Sequence, residues 1–214
     1  GISNTTVSRF VRSLGYASFA DMRYALAREE TASKERSFDD SRGIGLSDVQ
    51  GSLDYVMETK IEELRSTFAA LSEESVTKAV GILSSARIAM LVGVGSSLPV
   101  AQSAAIKFSQ AGVNAISPST SDGAMITASL MQSEDCLVVI SNSGRSDRLR
   151  KIMNNAIDRG VSTIVITRNE ESPLAERADV VLKVVSRDHL LVNDFDFSHN
   201  SINYVLESLL LLLF

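Results

Sequence analysis

The 214 residues carry 44% hydrophobic and 22% charged side chains and a net charge of −5, an ordinary globular balance that speaks against disorder and low complexity. One cysteine, Cys136, rules out an intrachain disulfide framework and reads as a small buried hydrophobe in a strand. No signal peptide is visible, and the longest apolar run, Leu209 to Phe214, falls far short of the ~20 residues of a membrane span, so the chain reads as cytoplasmic, without membrane contact.

The chain begins with Gly1 and stops at Phe214 inside a leucine-rich helical pattern; both ends look cut, and the expectation is a fragment of a longer protein. Residues 1 to 36 hold six basic groups (Arg9, Arg12, Arg23, Arg28, Lys34, Arg36) against four acidic ones (Asp21, Glu29, Glu30, Glu35), a net of +2 that leaves −7 on the remainder. A basic head on an acidic body suggests different partners for the two parts. Ser3 is a candidate N-cap, with Ile2 and Val7 as a hydrophobic staple. Val7, Phe10, Val11 and Leu14 form one face of the helix that follows, and Gly15 supplies its left-handed end. The opposite face carries Asn4, Thr5, Ser8, Arg9 and Arg12, short polar groups and arginines of the kind that meet base edges and phosphates. A second helix is expected from Ser18 to about Glu30, with Phe19, Met22 and Leu26 inward.

On chemistry alone this head is also a plain amphipathic helix pair. The run from Ser3 to Tyr16, however, resembles the recognition helix and exit turn of the helix-turn-helix domain in the RpiR family of bacterial sugar-phosphate-responsive regulators. The resemblance implies that the leading helices of that domain lie before Gly1. A helix-turn-helix without them lacks its own core, so this chain alone would bind operator DNA poorly.

Thr31 to Asp48 is polar and reads as a linker, which puts the domain boundary near residue 45: 1–45 as head plus linker, 46–214 as body. From Asp48 to Ala70 the residues Leu53, Met57, Ile61, Leu64, Phe68 and Leu71 recur at steps of three and four, one helical stripe expected to pack across a sheet or against another subunit. Ser72 caps a further helix to about Ser85, with Val76, Ala79, Val80 and Leu83 inward.

Beyond Ala86, strands and helices alternate, which implies a doubly wound parallel sheet of five strands in the order 2-1-3-4-5. Strand 1, Ile88 to Val92, opens into Gly93-Val-Gly-Ser-Ser97. This is not a P-loop, which needs a Gly-Lys-Ser/Thr ending, nor a dinucleotide fingerprint, which needs Gly at Leu98 and an acidic residue where Ser117 and Pro118 stand. A helix from about Leu98 to Ala111 and strand 2, Val113 to Ile116, lead to a hydroxyl-rich loop in which Ser119 or Thr120 either caps the next helix, Ala124 to Met131, or touches a ligand. Strand 3, Leu137 to Ser141, opens into Asn142-Ser-Gly-Arg-Ser146, and Ser146 or Asp147 caps a helix ending at Gly160. Gly95 and Gly144 allow close backbone approach, Ser96, Ser97, Ser141, Ser143 and Ser146 bring hydroxyls, and Arg145 either clamps an oxyanion or stays solvated. Strand 4 is Thr163 to Thr167, Ser172 and Pro173 start a short helix, strand 5 is Val180 to Val185, and a final helix runs from about Asn200. Strands 1 and 3 are neighbours in this order, so both serine loops flank the point where ligands bind, each at a helix N-terminus suited to an anion.

Gly93-x-Gly-x-Ser97, Ser141-x-Ser-Gly-x-Ser146, Val165-Ile-Thr with Ser172-Pro-Leu-Ala, and Ala178-Asp-Val-Val-Leu together resemble the sugar isomerase (SIS) domain over about residues 80 to 185. The resemblance implies that Ser96, Ser97, Ser141, Ser143 and Ser146 hold the phosphate of a phosphosugar, with Gly95, Gly144 and Thr120 as further contacts, and that the domain forms a homodimer or higher homo-oligomer. The leading expectation is a regulator, not an enzyme, whose body binds a sugar phosphate and whose completed head binds operator DNA. No cofactor, metal or catalytic residue is assigned. The alternatives are an aldose-ketose phosphosugar isomerase, with His189, His199, Glu170 and Glu171 as candidate bases, and a dimerisation module that uses the fold without a ligand.

Overall fold

A computed structural model of the chain describes residues 10–16, 22, 44–186 and 199–214. Two compact units divide it, Gly1–Met57 with Arg187–Phe195 and Glu58–Ser186 with Asp196–Phe214. Of the first unit, residues 10 to 13 are helical, and Gly15 closes that turn with φ +88°. Val11 is buried, whereas Phe10 and Leu14 are half-exposed, so the expected apolar face is covered at one position. Arg12 is exposed. Asn4, Thr5, Ser8 and Arg9, the helix expected from Ser18 and the linker to residue 43 lie outside the described residues.

The second unit is a three-layer α/β fold. Its elements are α1 (Val49–Ala70, which begins in the first unit), α2 (Glu73–Ser85), β1 (Ala89–Gly93), α3 (Ser97–Gln110), β2 (Ala115–Ile116), α4 (Ser121–Leu130), β3 (Cys136–Ile140), α5 (Asp147–Ile157), β4 (Ser162–Thr167), a 3-10 turn (Ala175–Arg177), β5 (Val180–Lys183) and α6 (Asn200–Leu212). The sheet has the order β2-β1-β3-β4-β5, and every pairing is parallel. The continuous apolar runs explain this: residues buried on both faces belong in a sheet with helices on both sides.

Alternation along the strands sorts the core into two halves. Ala89, Leu91, Cys136, Val138, Ile140, Ile164, Ile166 and Leu182 face α2, α3 and α6, meeting Leu83, Phe108, Ile202 and Leu206. Met90, Val92, Leu137, Val139 and Val165 face α4 and α5, meeting Ala128, Leu149, Ile152 and Met153. Gly112 and Gly160 end α3 and α5 with φ +90° and +75°, the left-handed closure their positions in the sequence predict. Ser72 caps α2 by accepting from Ser75 N–H at 3.0 Å.

Three expectations need correction. Within the second unit the apolar stripe of α1 packs on the core only in part: Leu71 joins it, whereas Ile61 and Phe68 are 41% and 44% exposed, and the fully buried positions of the helix are Glu63 and Thr67. Thr67 is inside because its hydroxyl accepts from Val185 N–H at 2.9 Å and donates to Val185 O at 3.3 Å, bonds that no apolar side chain offers. Strand 2 is only two residues long; just before it Asn114 gives its side-chain amide to Arg87 O at 2.9 Å, and its backbone carbonyl accepts from Ala89 N–H. The short helix after strand 4 begins at Ala175 rather than Ser172, since the Ser172 hydroxyl is buried as an acceptor for Ala175 N–H at 3.3 Å.

Candidate functional site

Both serine loops leave adjacent strands at the same edge. Gly93 at the end of β1 pairs with Ile140 at the end of β3, so the loops start about 4.8 Å apart, the spacing of neighbouring strands. Each then enters a helix, α3 at Ser97 and α5 at Asp147, so the positive ends of two helix dipoles flank one point.

The first loop is set by backbone contact. A Cβ added at Gly93 would lie 2.5 Å from the Ser97 carbonyl oxygen, so α3 begins directly against the end of β1, a proximity open only to glycine. Gly95 turns the chain with φ +59°, and Ser97 N–H donates to Val94 O and Leu98 N–H to Gly95 O, both at 3.2 Å. Ser96 precedes the helix and is exposed, while Ser97 is 7% exposed.

In the second loop the hydroxyls hold the turn from within. Ser141 Oγ accepts from Gly144 N–H at 3.2 Å, Ser143 Oγ from Arg145 N–H at 3.4 Å, and Ser146 Oγ from Leu149 N–H at 3.4 Å as the cap of α5. A serine that accepts in this way keeps its own O–H proton to donate, so the cup can present donors to an anion without unfolding its turn. Gly144 has φ +64°, and a Cβ there would overlap the buried Ser172 and stand 3.2 Å from Thr167 Oγ1. Thr167 in turn donates to Asn142 O at 3.1 Å and accepts from Asn169 N–H, and Gly144 O accepts from Leu174 N–H. The loop after β4 therefore braces the second serine loop through Thr167 and Ser172, a supporting role that reading along the chain missed.

Thr120 stands at the N-cap of α4, its oxygen accepting from Gly123 N–H at 3.0 Å, so its hydroxyl is engaged as a cap. Arg145 is exposed. Of the four residues weighed as bases, Glu170 pairs with Lys183, Glu171 N–H donates to Asn169 Oδ1 at 3.0 Å, and His189 lies outside the described residues. His199 stands at the N-terminus of α6, with Nε2 3.3 Å from Ser97 Oγ. Beside the loops, Asn142 is 2% exposed and both atoms of its side-chain amide are buried without a partner, which costs about 1–3 kcal/mol for each unpaired group. Among the described residues no cluster of three or more His, Cys, Asp or Glu is arranged to hold a metal ion, and no helix is long and apolar enough to cross a membrane.

Residues 82–206 match the family model described as SIS domain. An uncharacterized HTH-type transcriptional regulator of Clostridium perfringens is 24% identical over 88% of this chain and 67% of its own length. The bifunctional protein glk of Burkholderia thailandensis is 30% identical over 92% of this chain. The chain spans 30% of that relative's length. In solved structures, the NanR protein of Vibrio vulnificus, complexed with ManNAc-6P, matches 99% of this chain and 74% of its own with a TM-score of 0.72 and 22% identity. The sugar isomerase domain of an RpiR transcription factor from Sphaerobacter thermophilus matches 77% of this chain and 90% of its own with a TM-score of 0.70 and 24% identity. At those identities the structural likeness is one of fold.

Proposed function

This chain belongs to the SIS domain family, and from that premise we propose that it is the effector-sensing part of a sugar-phosphate-responsive transcriptional regulator of the RpiR type. The observation that carries the reading is the meeting of two hydroxyl-bearing loops at the carboxyl ends of the adjacent strands β1 and β3, each at a helix N-terminus. A phosphate monoester carries nearly two negative charges at neutral pH, and convergent hydroxyls, amides and helix dipoles suit it. Ser96, Ser97, Ser141, Ser143 and Ser146 hold the phosphate, and Gly95 and Gly144 shape the cradle. Thr120, which accepts a cap bond as Ser146 does, keeps its O–H proton to donate as a further contact.

The head, residues 1–45, is the end of a helix-turn-helix, with Asn4, Thr5, Ser8, Arg9 and Arg12 toward operator DNA, and residues 46–214 are the sensor. The protein acts as a homo-oligomer in the cytoplasm. Regulation follows from differential affinity: the phosphosugar favours one placement of paired heads and so changes their fit to operator half-sites. Support comes from the names of the relatives, one an HTH-type regulator, and from the sugar phosphate held by the NanR protein.

Thermal denaturation with a panel of sugar phosphates, alongside a proton-exchange assay at the sugar's second carbon, tests the reading. A rise in melting temperature with particular phosphosugars and no exchange is the expected outcome. Turnover would replace it with the isomerase reading, and the absence of any shift across the panel would remove the phosphate site.

A further inference from the structure

The five serines are neutral, so a doubly charged ester held by them alone has no counter-charge among its ligands. Next to one of them stands an imidazole: Ser97 Oγ and His199 Nε2 are 3.3 Å apart, across 102 positions of sequence. Ser97 heads α3, His199 heads α6, and both helices pack on the face of the sheet that carries Val138 and Ile140. A second observation comes from the neighbouring loop: Asn142, two residues past the end of β3, has a buried side-chain amide with no hydrogen-bond partner. The carboxyl edge of the adjacent strands β1 and β3 therefore carries a hydroxyl–imidazole pair and an unspent amide.

We propose that His199 is the cationic positioning residue of the anion site: it orients the Ser97 hydroxyl toward the ligand and, as imidazolium, supplies a positive charge beside the first serine loop, Gly93 to Ser97, which carries none of its own. This rests on the phosphate-binding reading of the serine loops. A dianion in the cup favours the protonated imidazole, so binding is coupled to proton uptake in the range where imidazoles titrate.

Other charges facing this corner have to be counted. On α3, Lys107 pairs with Glu207 of α6 at 2.6 Å, about 15 Å along the helix from Ser97. On α2, Glu73 and Glu74 lie in the first turn, Lys78 is held by Asp179 O at the opposite sheet edge, and the loops after β3 and β4 carry Arg145 and Arg168. On α1, Glu63 is 1% exposed and pairs with Lys60 at 2.7 Å. It sits one turn before Thr67, which shares the Val185 carbonyl with Ser201, two residues after His199. A bound dianion adds to the field of these charges and shifts the imidazole toward its protonated form.

Inorganic sulfate is the suitable probe, because it keeps two charges across the whole pH range and leaves only the protein to titrate. Its dissociation constant is measured by calorimetry between about pH 5.5 and about pH 8 for the wild type, His199→Gln and His199→Lys, with melting curves at each pH to confirm folding. The wild type is expected to bind about tenfold or more tightly at the acid end. His199→Gln, which keeps a hydrogen-bonding group but no charge, should bind weakly at every pH, and His199→Lys should bind tightly with a flat profile. A flat profile for the wild type, or a His199→Gln variant with the wild-type profile, overturns the role of His199 while leaving the serine site in place. A wild type that binds neither sulfate at any pH nor any sugar phosphate removes the site itself, and this proposal with it.

Discussion

Replacing Gly144 by alanine separates two costs that the structure assigns to one position. The residue has φ +64°, where an L side chain costs about 1–2 kcal/mol. Its new Cβ would also overlap the side chain of Ser172, which is fully buried and held by Ala175 N–H. Relief requires moving the brace after β4, an overpacking cost of about 1–3 kcal/mol, so Gly144→Ala should destabilise by about 2–5 kcal/mol in all. Gly95 is the internal control: its φ is +59°, but nothing lies within 4 Å of the added Cβ, so Gly95→Ala should cost only the backbone term, about 1–2 kcal/mol. Urea denaturation of both variants, read as midpoint shifts at constant slope, gives the difference. Adding Ser172→Gly to Gly144→Ala should recover most of the excess, seen as a favourable coupling in a double-mutant cycle. Equal losses for Gly95→Ala and Gly144→Ala, within about 0.5 kcal/mol, would refute the claim that the loop after β4 fixes the second serine loop.

Ser143 is exposed and its hydroxyl accepts only a long bond from Arg145 N–H, so Ser143→Ala should change stability by less than about 0.5 kcal/mol yet weaken sugar-phosphate binding at least tenfold in calorimetry. Unchanged regulation in a Ser97→Ala, Ser143→Ala double variant would favour a module that uses the fold without a ligand. Asp179 accepts from both Thr163 N–H (2.8 Å) and Thr163 Oγ1 (2.9 Å) at the opposite sheet edge, and Asp179→Ala should cost about 2–3 kcal/mol in the same denaturation assay without altering ligand affinity. Burial, helped by the negative charges of Asp179 and Asp135, pushes the Cys136 thiol from 9.0 up to about 12. The folded chain should therefore resist alkylation by iodoacetamide near pH 8, with labelling that tracks global unfolding. The folded state holds this proton more tightly than the unfolded one, so the contribution to stability is intact below about 9 and is lost as pH rises toward 12. A Cys136→Ala variant should lack that loss.

The sheet order and the two serine loops could be read from the chain because their signals are local: a short apolar run, glycines at the turn, hydroxyls before a helical pattern. Gly93 and Gly144 stand where the chain makes its close approaches, and Gly95 where it turns through a positive φ. Contacts between distant parts of the sequence left no such signal. Thr67 and Val185 are 118 positions apart, and Ser97 and His199 are 102, so neither pair could be joined before the fold was known. The stripe on α1 misled for a related reason. Steps of three and four locate an apolar face, but which face turns inward is decided by what the neighbours need, and here the neighbour is an unpaired piece of backbone that a threonine serves and a leucine does not. Thr120 carried two meanings, cap and ligand contact, and its bond to Gly123 N–H shows the first.

That same unpaired backbone lies just past β5, the outer strand on its side of the sheet. An outer strand with free amides and carbonyls invites another chain to add to it. Here Val185 gives its N–H to the Thr67 hydroxyl, and its carbonyl takes both Thr67 and Ser201, so the backbone leaving this strand is already engaged. Two side-chain hydroxyls thus act as a selvedge at this corner of the weave. A valine at position 67 would be nearly the same size but would leave the Val185 N–H without its acceptor, at a cost of about 1–3 kcal/mol seen as a lower melting point.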